Sequence, residues 1–230
     1  MRRRGGAATG GATLSDVTTA VVLVGGAMPD RHALEGVAEA DIVVAVDSGV
    51  RIARKHGLPV HVLIGDLDSA SDGDRAWAIA EEAELIEHPE DKDATDLELA
   101  LDHLKELDVD RILAVGVEGG RLDHELGNWA VLCRPQSALV EIRTPTGKAY
   151  LLNGDGANEL DLDAELGDLV TLLPVGGVAK GVWATGVRWP LDGATLEPGS
   201  TLGVSNEITE ETGYVSVESG TLLVVRPVPE

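Results

Sequence analysis

Short runs of β-branched residues alternate with helical patterns from residue 20 to about residue 145, and this alternation constrains the fold more than any other feature. Parallel strands need long crossover connections, so a chain that alternates in this way is typical of a parallel sheet covered by helices. The sequence therefore predicts a Rossmann-like α/β domain over residues 20–145, with helices on both faces of the sheet. Its predicted strands lie at 20–24, 41–47, 60–64, 111–117 and 139–143.

The clearest helix is predicted at 96–107. Thr95 and Glu98 form a capping box at its start. Other helices are predicted at 48–56, 74–83 and 122–133, with a short one near Pro29. The apolar positions of the 96–107 helix recur at the spacing of one helix face and are Leu97, Ala100, Leu101 and Leu104.

The helical period disappears after Thr144, where short apolar stretches are separated by Gly, Pro, Asp and Asn. Regular short strands with turn residues between them favour an antiparallel sandwich or barrel. We therefore predict a second, antiparallel domain over residues 146–230. Residues 1–19, in which three arginines follow Met1 and lead into a stretch of Gly, Ala and Thr, are predicted to form a disordered tail. The predicted strands of the second domain are 149–152, 169–173, 181–184, 201–204, 214–217 and 222–225.

The charge balance narrows the possible partners. Forty acidic and eighteen basic side chains give a net charge of -22, which argues against nucleic acid or an anionic membrane as a partner. A single cysteine, Cys133, excludes an intrachain disulfide and fits a reducing compartment. No run approaches the roughly 20 apolar residues that span a bilayer. We expect a soluble, cytoplasmic protein. Its acidic, lysine-poor surface either is adapted to a cytoplasm of high ionic strength or is that of an ordinary acidic protein.

Acidic segments follow the second and third predicted strands, at the edge where parallel α/β sheets bind ligands. Asp47 ends the second strand and either faces the cleft or caps the next helix. Asp66 and Asp68 follow the third strand after Gly65 and project to the same side if the loop is extended. Two converging carboxylates suit Mg²⁺ that bridges to substrate phosphates, whereas the alternative is a solvated turn.

Two further segments suit a phosphate group. Lys92, Asp93 and Asp96 lead into the amphipathic helix, whose free N–H groups favour anions; alternatively, Asp96 only complements the helix dipole. The Gly119-Gly120-Arg121 segment follows another strand and offers backbone N–H groups and a guanidinium. Neither GxxxxGK[ST] nor GxGxxG opens the first helix, which disfavours the usual NTPase and dinucleotide-binding classes. His124 is the histidine placed for catalysis, and Cys133 is expected to be a core thiol.

Together these segments resemble the thiamine pyrophosphokinase family in order and spacing across about residues 20 to 130. The matching segments are Asp47-Ser48-Gly49, Gly65-Asp66-Leu67-Asp68-Ser69, Lys92-Asp93-x-Thr95-Asp96, and Gly119-Gly120-Arg121-x-Asp123-His124 with Asn128. Two C-terminal segments, 186–191 and 204–207, resemble the thiamine-side motifs of that family.

The resemblance implies a β-sandwich second domain, a homodimer with thiamine between subunits, and an ATP- and Mg²⁺-dependent transfer that releases AMP. It implies three metal ligands, Asp66, Asp68 and Asp96, with Asp47 nearby. One of these carboxylates, Asp96 or Asp68, would take the hydroxyl proton. On the nucleotide side it implies Lys92, Asp93, Thr95, Gly119, Gly120, Arg121, Asp123 and His124. On the thiamine side it implies Trp189, Ser205 and Asn206.

Two other functions stay open from the residues. A pyrophosphokinase of a pterin alcohol would use a similar acidic loop. A non-catalytic nucleotide-binding module would keep the fold without the chemistry, although carboxylates clustered in one cleft are costly without a cation.

Overall fold

The computed structural model describes residues 17–67, 70–89 and 91–228. In the first half the described residues form six strands and four helices that alternate, the kind of alternation that the sequence predicts. The strands are β1 (Thr19–Leu23), β2 (Ile42–Val46), β3 (Val62–Gly65), β4 (Glu84–Glu87), β5 (Arg111–Val115) and β6 (Leu139–Thr144). The helices are α1 (Val50–His56), α2 (Asp72–Ala80), α3 (Asp96–Glu106) and α4 (Leu122–Leu132), and a 3-10 turn covers Asp47–Gly49.

All six strands are parallel, in the order β6-β5-β1-β2-β3-β4. Alternate residues of β1 enter two different apolar clusters, because successive side chains of a strand point to opposite faces. Val22 packs with α3 residues such as Leu104 on one face, and Leu23 packs with α1 residues such as Ile52 on the other. Helices therefore cover both faces, and the predicted fold class is confirmed.

The second half is antiparallel. Its strands are β7 (Gly147–Asn153), β8 (Glu159–Leu162), β9 (Leu169–Thr185), β10 (Leu191–Leu196), β11 (Asn206–Glu207) and β12 (Gly213–Pro227). The long strands β9 and β12 pair along most of their length, with a register shift between Ser219 and Thr221. One apolar cluster contains Leu172 and Leu222 from one side of that shift and Val182 and Val215 from the other. The two parts of the strands thus share a core, as in a sandwich.

A two-residue turn joins the halves. β6 is parallel to β5 and antiparallel to β7, so the hydrogen-bonded sheet continues across the turn at residues 145–146. Leu151 of β7 and Leu223 of β12 belong to the apolar cluster under α3. The predicted boundary near 145 coincides with this turn, and the division into two domains stays a prediction.

Several local expectations differ from the structure. The segment after Pro29 forms successive turns rather than a helix. Residues 201–204 form a turn closed by a bond from Val204 N to Thr201 O rather than a strand. Strands β4, β8, β10 and β11 were not predicted. In β4, only the two central residues of the Glu-Leu-Ile-Glu sequence are apolar. Residues 1–16 of the predicted tail lie outside the described residues, and Thr19, which the prediction included in the tail, is the first residue of β1. Within the described ranges, no helix has the length and apolarity needed to cross a bilayer.

Candidate active site

A cleft of about 770 Å³ opens at the carboxyl ends of the parallel strands. The strand order reverses at this cleft. Along the chain, β2, β3 and β4 are added on one side of β1, and β5 and β6 are then added on its other side. Ligands of open α/β sheets bind at such switch points. The lining residues are Val24, Gly25, Gly26, Val46, Asp47, Ser48, Asp66, Lys92, Ala94, Thr95, Asp96, Leu97, Gly119, Gly120, Arg121, Asp123, His124, Gly127 and Asn128.

Three carboxylates converge in this cleft. Asp47, Asp66 and Asp96 each place an oxygen atom within 4.8 Å of the others. Asp47 begins the 3-10 turn after β2, Asp66 follows β3, and Asp96 is the first residue of α3. Three elements that are distant in sequence therefore bring their acidic ends to one point.

Glycine at position 65 allows Asp47 to lie against the end of β3. A Cβ built on Gly65 would stand 1.9 Å from Asp47 Oδ1, and Gly65 has a φ of +149°. Asp47 itself has a φ of 44°, and its Oδ1 accepts a hydrogen bond of 3.2 Å from Leu67 N. The carboxylate thus lies against the backbone of Gly65 and is held there by the Leu67 N–H.

The clustering changes the protonation of Asp47. Burial raises the pKa of Asp47 to about 7. A hydrogen bond that protonated Asp47 donates to Asp96 and the negative charges of Asp96 and Asp66 raise the pKa further, whereas the bond accepted from the Leu67 N–H lowers it. A carboxyl group that holds its proton near neutral pH indicates a site with excess negative charge. Hard oxygen ligands in this arrangement fit Mg²⁺, which would favour the ionised form of all three groups.

Lys92 enters the same cluster from the loop before α3. Its Nζ lies 2.6 Å from Asp96 Oδ1 and 3.8 Å from Asp66 Oδ2, and its side chain is 14% exposed. Burial lowers the pKa of Lys92, but its close contact with the charged Asp96 and the charges of Asp66 and Asp47 outweigh burial, so the pKa is raised. The ammonium group is therefore charged and held inside the acidic cluster.

The glycine-rich loop before α4 lines the opposite wall. Gly120 has a φ of 83° and open space where a Cβ would lie. The N–H of Gly119 donates to Glu125 Oε2 at 3.0 Å, so this amide is engaged by a side chain of α4. Arg121 is exposed and pairs with Asp123 at 2.6 Å. The sequence analysis did not identify Glu125 as a site residue, because acidic residues are common in the first turn of a helix and carry no signal of function there.

The remaining nucleotide-side residues occupy different positions. Thr95 caps α3, where its Oγ1 accepts a bond of 3.2 Å from Glu98 N. His124 is exposed in the cleft wall, whereas Asp93 is exposed and is not among the lining residues. Gly25 and Gly26 line the cleft after β1 and were missed; a Gly-Gly pair at a strand end was the available signal. Asp68 lies outside the described residues.

The three thiamine-side residues lie together in the antiparallel half and do not line this cleft. Asn206 is buried, and its amide bonds to the backbone of Trp189 twice, at 3.0 Å through Oδ1 and at 2.7 Å through Nδ2. Ser205 has a φ of 55°, and its N–H donates to Thr171 Oγ1. Trp189 is 55% exposed, with the Arg188 guanidinium 5.2 Å from its ring. Asn206 thus positions an exposed indole.

Cys133 follows α4 and is half-buried. Burial raises the pKa of its thiol to about 11, so the thiolate needed for nucleophilic chemistry is scarce at neutral pH. This agrees with the expected core thiol.

Two family models match the chain. The model described as "Thiamin pyrophosphokinase, catalytic domain" matches residues 34–144, and "Thiamin pyrophosphokinase, vitamin B1 binding domain" matches residues 157–222. A thiamine pyrophosphokinase of Bacillus subtilis (strain 168) is 29% identical over 198 residues, covering 86% of this chain and 88% of the relative. Thiamine pyrophosphokinase 1 of Oryza sativa subsp. japonica is 28% identical, covering 69% of this chain and 62% of that protein, so the chain spans less than two thirds of it.

Solved structures agree with these sequence matches. The crystal structure of thiamine pyrophosphokinase from Bacillus subtilis has a TM-score of 0.77 at 26% identity and covers 92% of this chain and 100% of that chain. The crystal structure of thiamin pyrophosphokinase from Geobacillus thermodenitrificans has a TM-score of 0.72 at 26% identity, covering 92% of this chain and 98% of that one.

Proposed function

The chain belongs to the thiamin pyrophosphokinase family, and we propose that its acidic cleft transfers a pyrophosphoryl group from ATP to the hydroxyl group of thiamine, releasing AMP. The observation that carries this function is the convergence of Asp47, Asp66 and Asp96 at the switch point, opposite a glycine-rich loop. The match of the second half to a vitamin B1 binding domain favours thiamine over a pterin alcohol.

In the proposed reaction the thiamine hydroxyl oxygen bonds to the β-phosphorus of ATP. The bond from that phosphorus to the oxygen bridging to the α-phosphorus breaks, and AMP leaves with its electron pair. Asp66 and Asp96 would hold Mg²⁺ beside Asp47, with Asp68 as a further ligand. Bound Mg²⁺ neutralises phosphate charge. Catalysis of this kind depends chiefly on positioning and on charge neutralisation.

Different residues are proposed to bind the phosphates, to accept the proton and to position the catalytic carboxylate. Lys92, Arg121 and the glycine-rich loop are proposed to contact phosphate oxygens, because they line the cleft around the acidic cluster. Asp96 or Asp68 would take the hydroxyl proton. Thr95 positions Asp96 through the start of α3. We propose that Asp93, Asp123 and His124 contribute at the nucleotide end of the cleft.

Thiamine is proposed to bind between two subunits. Trp189, Ser205 and Asn206 do not line the acidic cleft of their own chain, so a second copy would have to bring them to it. The exposed indole of Trp189 suits a cationic thiazolium ring. On α4, Leu122 is 70% exposed and Leu126 is 61% exposed, which gives an apolar surface beside the cleft for a partner copy to cover. We therefore propose a homodimer with shared sites.

An assay with purified protein, ATP, Mg²⁺ and thiamine tests the activity. We expect AMP and thiamine diphosphate in equal amounts, and no product from Asp96→Asn that retains its circular dichroism spectrum. Turnover of a hydroxymethyl pterin but not of thiamine would change the proposed substrate to a pterin alcohol and leave the proposed pyrophosphoryl transfer in place. If folded protein forms no product with either alcohol, a non-catalytic nucleotide-binding module is favoured.

Mixed subunits test the shared site. Asp96→Asn and Trp189→Ala place their defects in different halves, so a mixed dimer would contain one intact site. We expect each variant to be inactive alone and the refolded mixture to regain partial activity, with a dimer mass by light scattering. A monomer mass, or no recovery in the mixture, would contradict this arrangement.

The cytoplasmic location also stays a proposal, supported by the single, unpaired Cys133.

A further inference from the structure

Lys92 occupies a position that its proposed contact with substrate phosphate does not explain. Its Nζ is 2.6 Å from Asp96 Oδ1 and 3.8 Å from Asp66 Oδ2, so it contacts two of the carboxylates that would hold the metal. The side chains of Lys92, Asp66 and Asp96 are 14%, 17% and 16% exposed, respectively. A positive charge therefore already lies in the acidic cluster, largely shielded from water.

The contact between Lys92 and Asp96 is an ion pair without hydrogen-bond geometry. Both Lys92 Nζ and Asp96 Oδ1 are buried, and within residues 17–67, 70–89 and 91–228 neither has a partner that meets the angular requirements of a hydrogen bond. A buried ammonium group has three donors to satisfy, and leaving them unsatisfied is costly. Among the described residues, charge neutralisation and not directed bonding therefore holds Lys92 in the cluster.

A lysine can leave such a position readily. Lys92 lies on the loop before α3 and carries its charge on a flexible four-carbon stem. Its ammonium group and a divalent cation coordinated by Asp66 and Asp96 would repel strongly within a few ångströms in a poorly hydrated cleft. The cluster therefore accommodates one of the two cations in its centre.

We propose that Lys92 is the counter-ion of the acidic cluster in the metal-free enzyme and competes there with the divalent metal. This inference rests on the proposed metal site. Metal binding would move the ammonium group from Asp96 into the cleft, where phosphate oxygens of the nucleotide would satisfy its donors. Metal and nucleotide would then bind with positive coupling, because the nucleotide compensates Lys92 for the contact that it loses. Metal alone would bind weakly.

Lys92→Met tests the competition, with Lys105→Met as the matched control. Lys105 is an exposed residue of α3, so both variants lose one positive charge and only one changes the cluster. Mg²⁺ alone is titrated by calorimetry, without nucleotide. We expect Lys92→Met to bind Mg²⁺ roughly tenfold more tightly than the wild type, as removal of a nearby charge in a partly buried site implies. Lys105→Met should match the wild type.

The coupling gives a second readout. A non-hydrolysable ATP analogue should tighten Mg²⁺ binding less in Lys92→Met than in the wild type. Unchanged or weaker Mg²⁺ binding by Lys92→Met would overturn the inference and leave the metal site intact. Absence of Mg²⁺ binding in all three proteins would overturn the metal site and the inference with it.

Wild-type protein provides a measurement that does not depend on a variant's folding. The sequence has five lysines, Lys55, Lys92, Lys105, Lys148 and Lys180, so amine labelling can be followed for each by peptide mass spectrometry. Mg²⁺ alone should increase labelling of Lys92 relative to the other four, and addition of the ATP analogue should reverse the increase. Labelling of Lys92 that is insensitive to Mg²⁺ would contradict the displacement.

Discussion

Gly65 is the residue that lets the Asp47 carboxylate approach the end of β3. We expect Gly65→Ala to displace that carboxylate, because the added Cβ would lie 1.9 Å from Asp47 Oδ1. Displacement of a group in the catalytic cluster by about 1 Å can cost roughly 100-fold in rate. Steady-state kinetics should therefore show kcat/KM for thiamine lowered by about that factor, with Mg²⁺ binding weakened in parallel.

The control for this substitution is Gly36→Ala. Gly36 has a φ of +77° and open space around the position of a Cβ, so alanine there carries backbone strain without a collision. It should lower the free energy of unfolding by about 1 kcal/mol and leave kcat/KM unchanged. Equal loss of activity in both variants would show that strain and not the Asp47 contact matters.

Helix α3 links stability to the site, because its N-cap Thr95 directly precedes Asp96. Thr95→Ala removes the oxygen that accepts the Glu98 N–H bond at 3.2 Å. Loss of an N-cap costs about 1 kcal/mol of folding stability. We expect that loss in urea denaturation together with reduced kcat, since the first turn carrying Asp96 would fray. Thr95→Ser keeps the acceptor and should behave like the wild type; a Ser variant as defective as Ala would contradict the capping role.

Strands β5 and β6 are joined by a buried acidic residue. Glu141 is 1% exposed and pairs with Arg111 and with Arg143, whose Nε lies 2.7 Å from Glu141 Oε1. Arg143 also donates to the carbonyl oxygen of Glu35, in the turns after β1. Burial alone would raise the pKa of Glu141, but the bonds and charges of Arg143 and Arg111 outweigh it and hold the pKa below its usual value.

The lowered pKa of Glu141 fixes the sign of its pH dependence. Its contribution is fully present above the unfolded-state pKa, near 4.3, and is lost as pH falls through the lower folded-state pKa. Glu141→Gln should therefore destabilise the protein by about 3 kcal/mol at pH 7 and by progressively less below about pH 4. Urea unfolding from pH 3 to 7 measures this gap. A gap independent of pH, or equal destabilisation by the exposed Glu84→Gln, would contradict the assignment.

Elements and site differ in how far the sequence reveals them. The buried strands and α3 were predicted because their apolar spacing is local information. The rule for the carboxyl ends of parallel strands indicated that the acidic segments lie at one edge of the sheet, whereas the grouping of Asp66 and Asp96 with Asp47 nearby was implied only by the family resemblance. The engagement of Gly119 N–H by Glu125 and the placement of Lys92 at Asp96 were not predicted, because both depend on side-chain conformations fixed only by tertiary packing. The 17-residue strand β9 was predicted as separate pieces, since its glycines resemble turns.

At the scale of the whole molecule, net charge is the dominant electrostatic property. A charge of -22 on 230 residues, with five lysines, makes the folded state repel itself. Added salt screens charges separated by more than about 10 Å at 0.1 M and by more than about 3 Å at 1 M. We therefore expect the thermal midpoint of the metal-free protein to rise steadily with KCl to 1 M, and activity at saturating Mg²⁺ to be retained there.

The comparison of salts separates screening from specific binding. NaCl and KCl should act alike at equal ionic strength, because screening depends on ion charge and concentration and not on ion identity. Sucrose, which favours the compact state without screening charge, distinguishes general stabilisation from the electrostatic effect. A midpoint that is flat or falls with KCl would mean that the acidic side chains are distributed so that their repulsion contributes little to stability, and that the surface is that of an ordinary acidic protein.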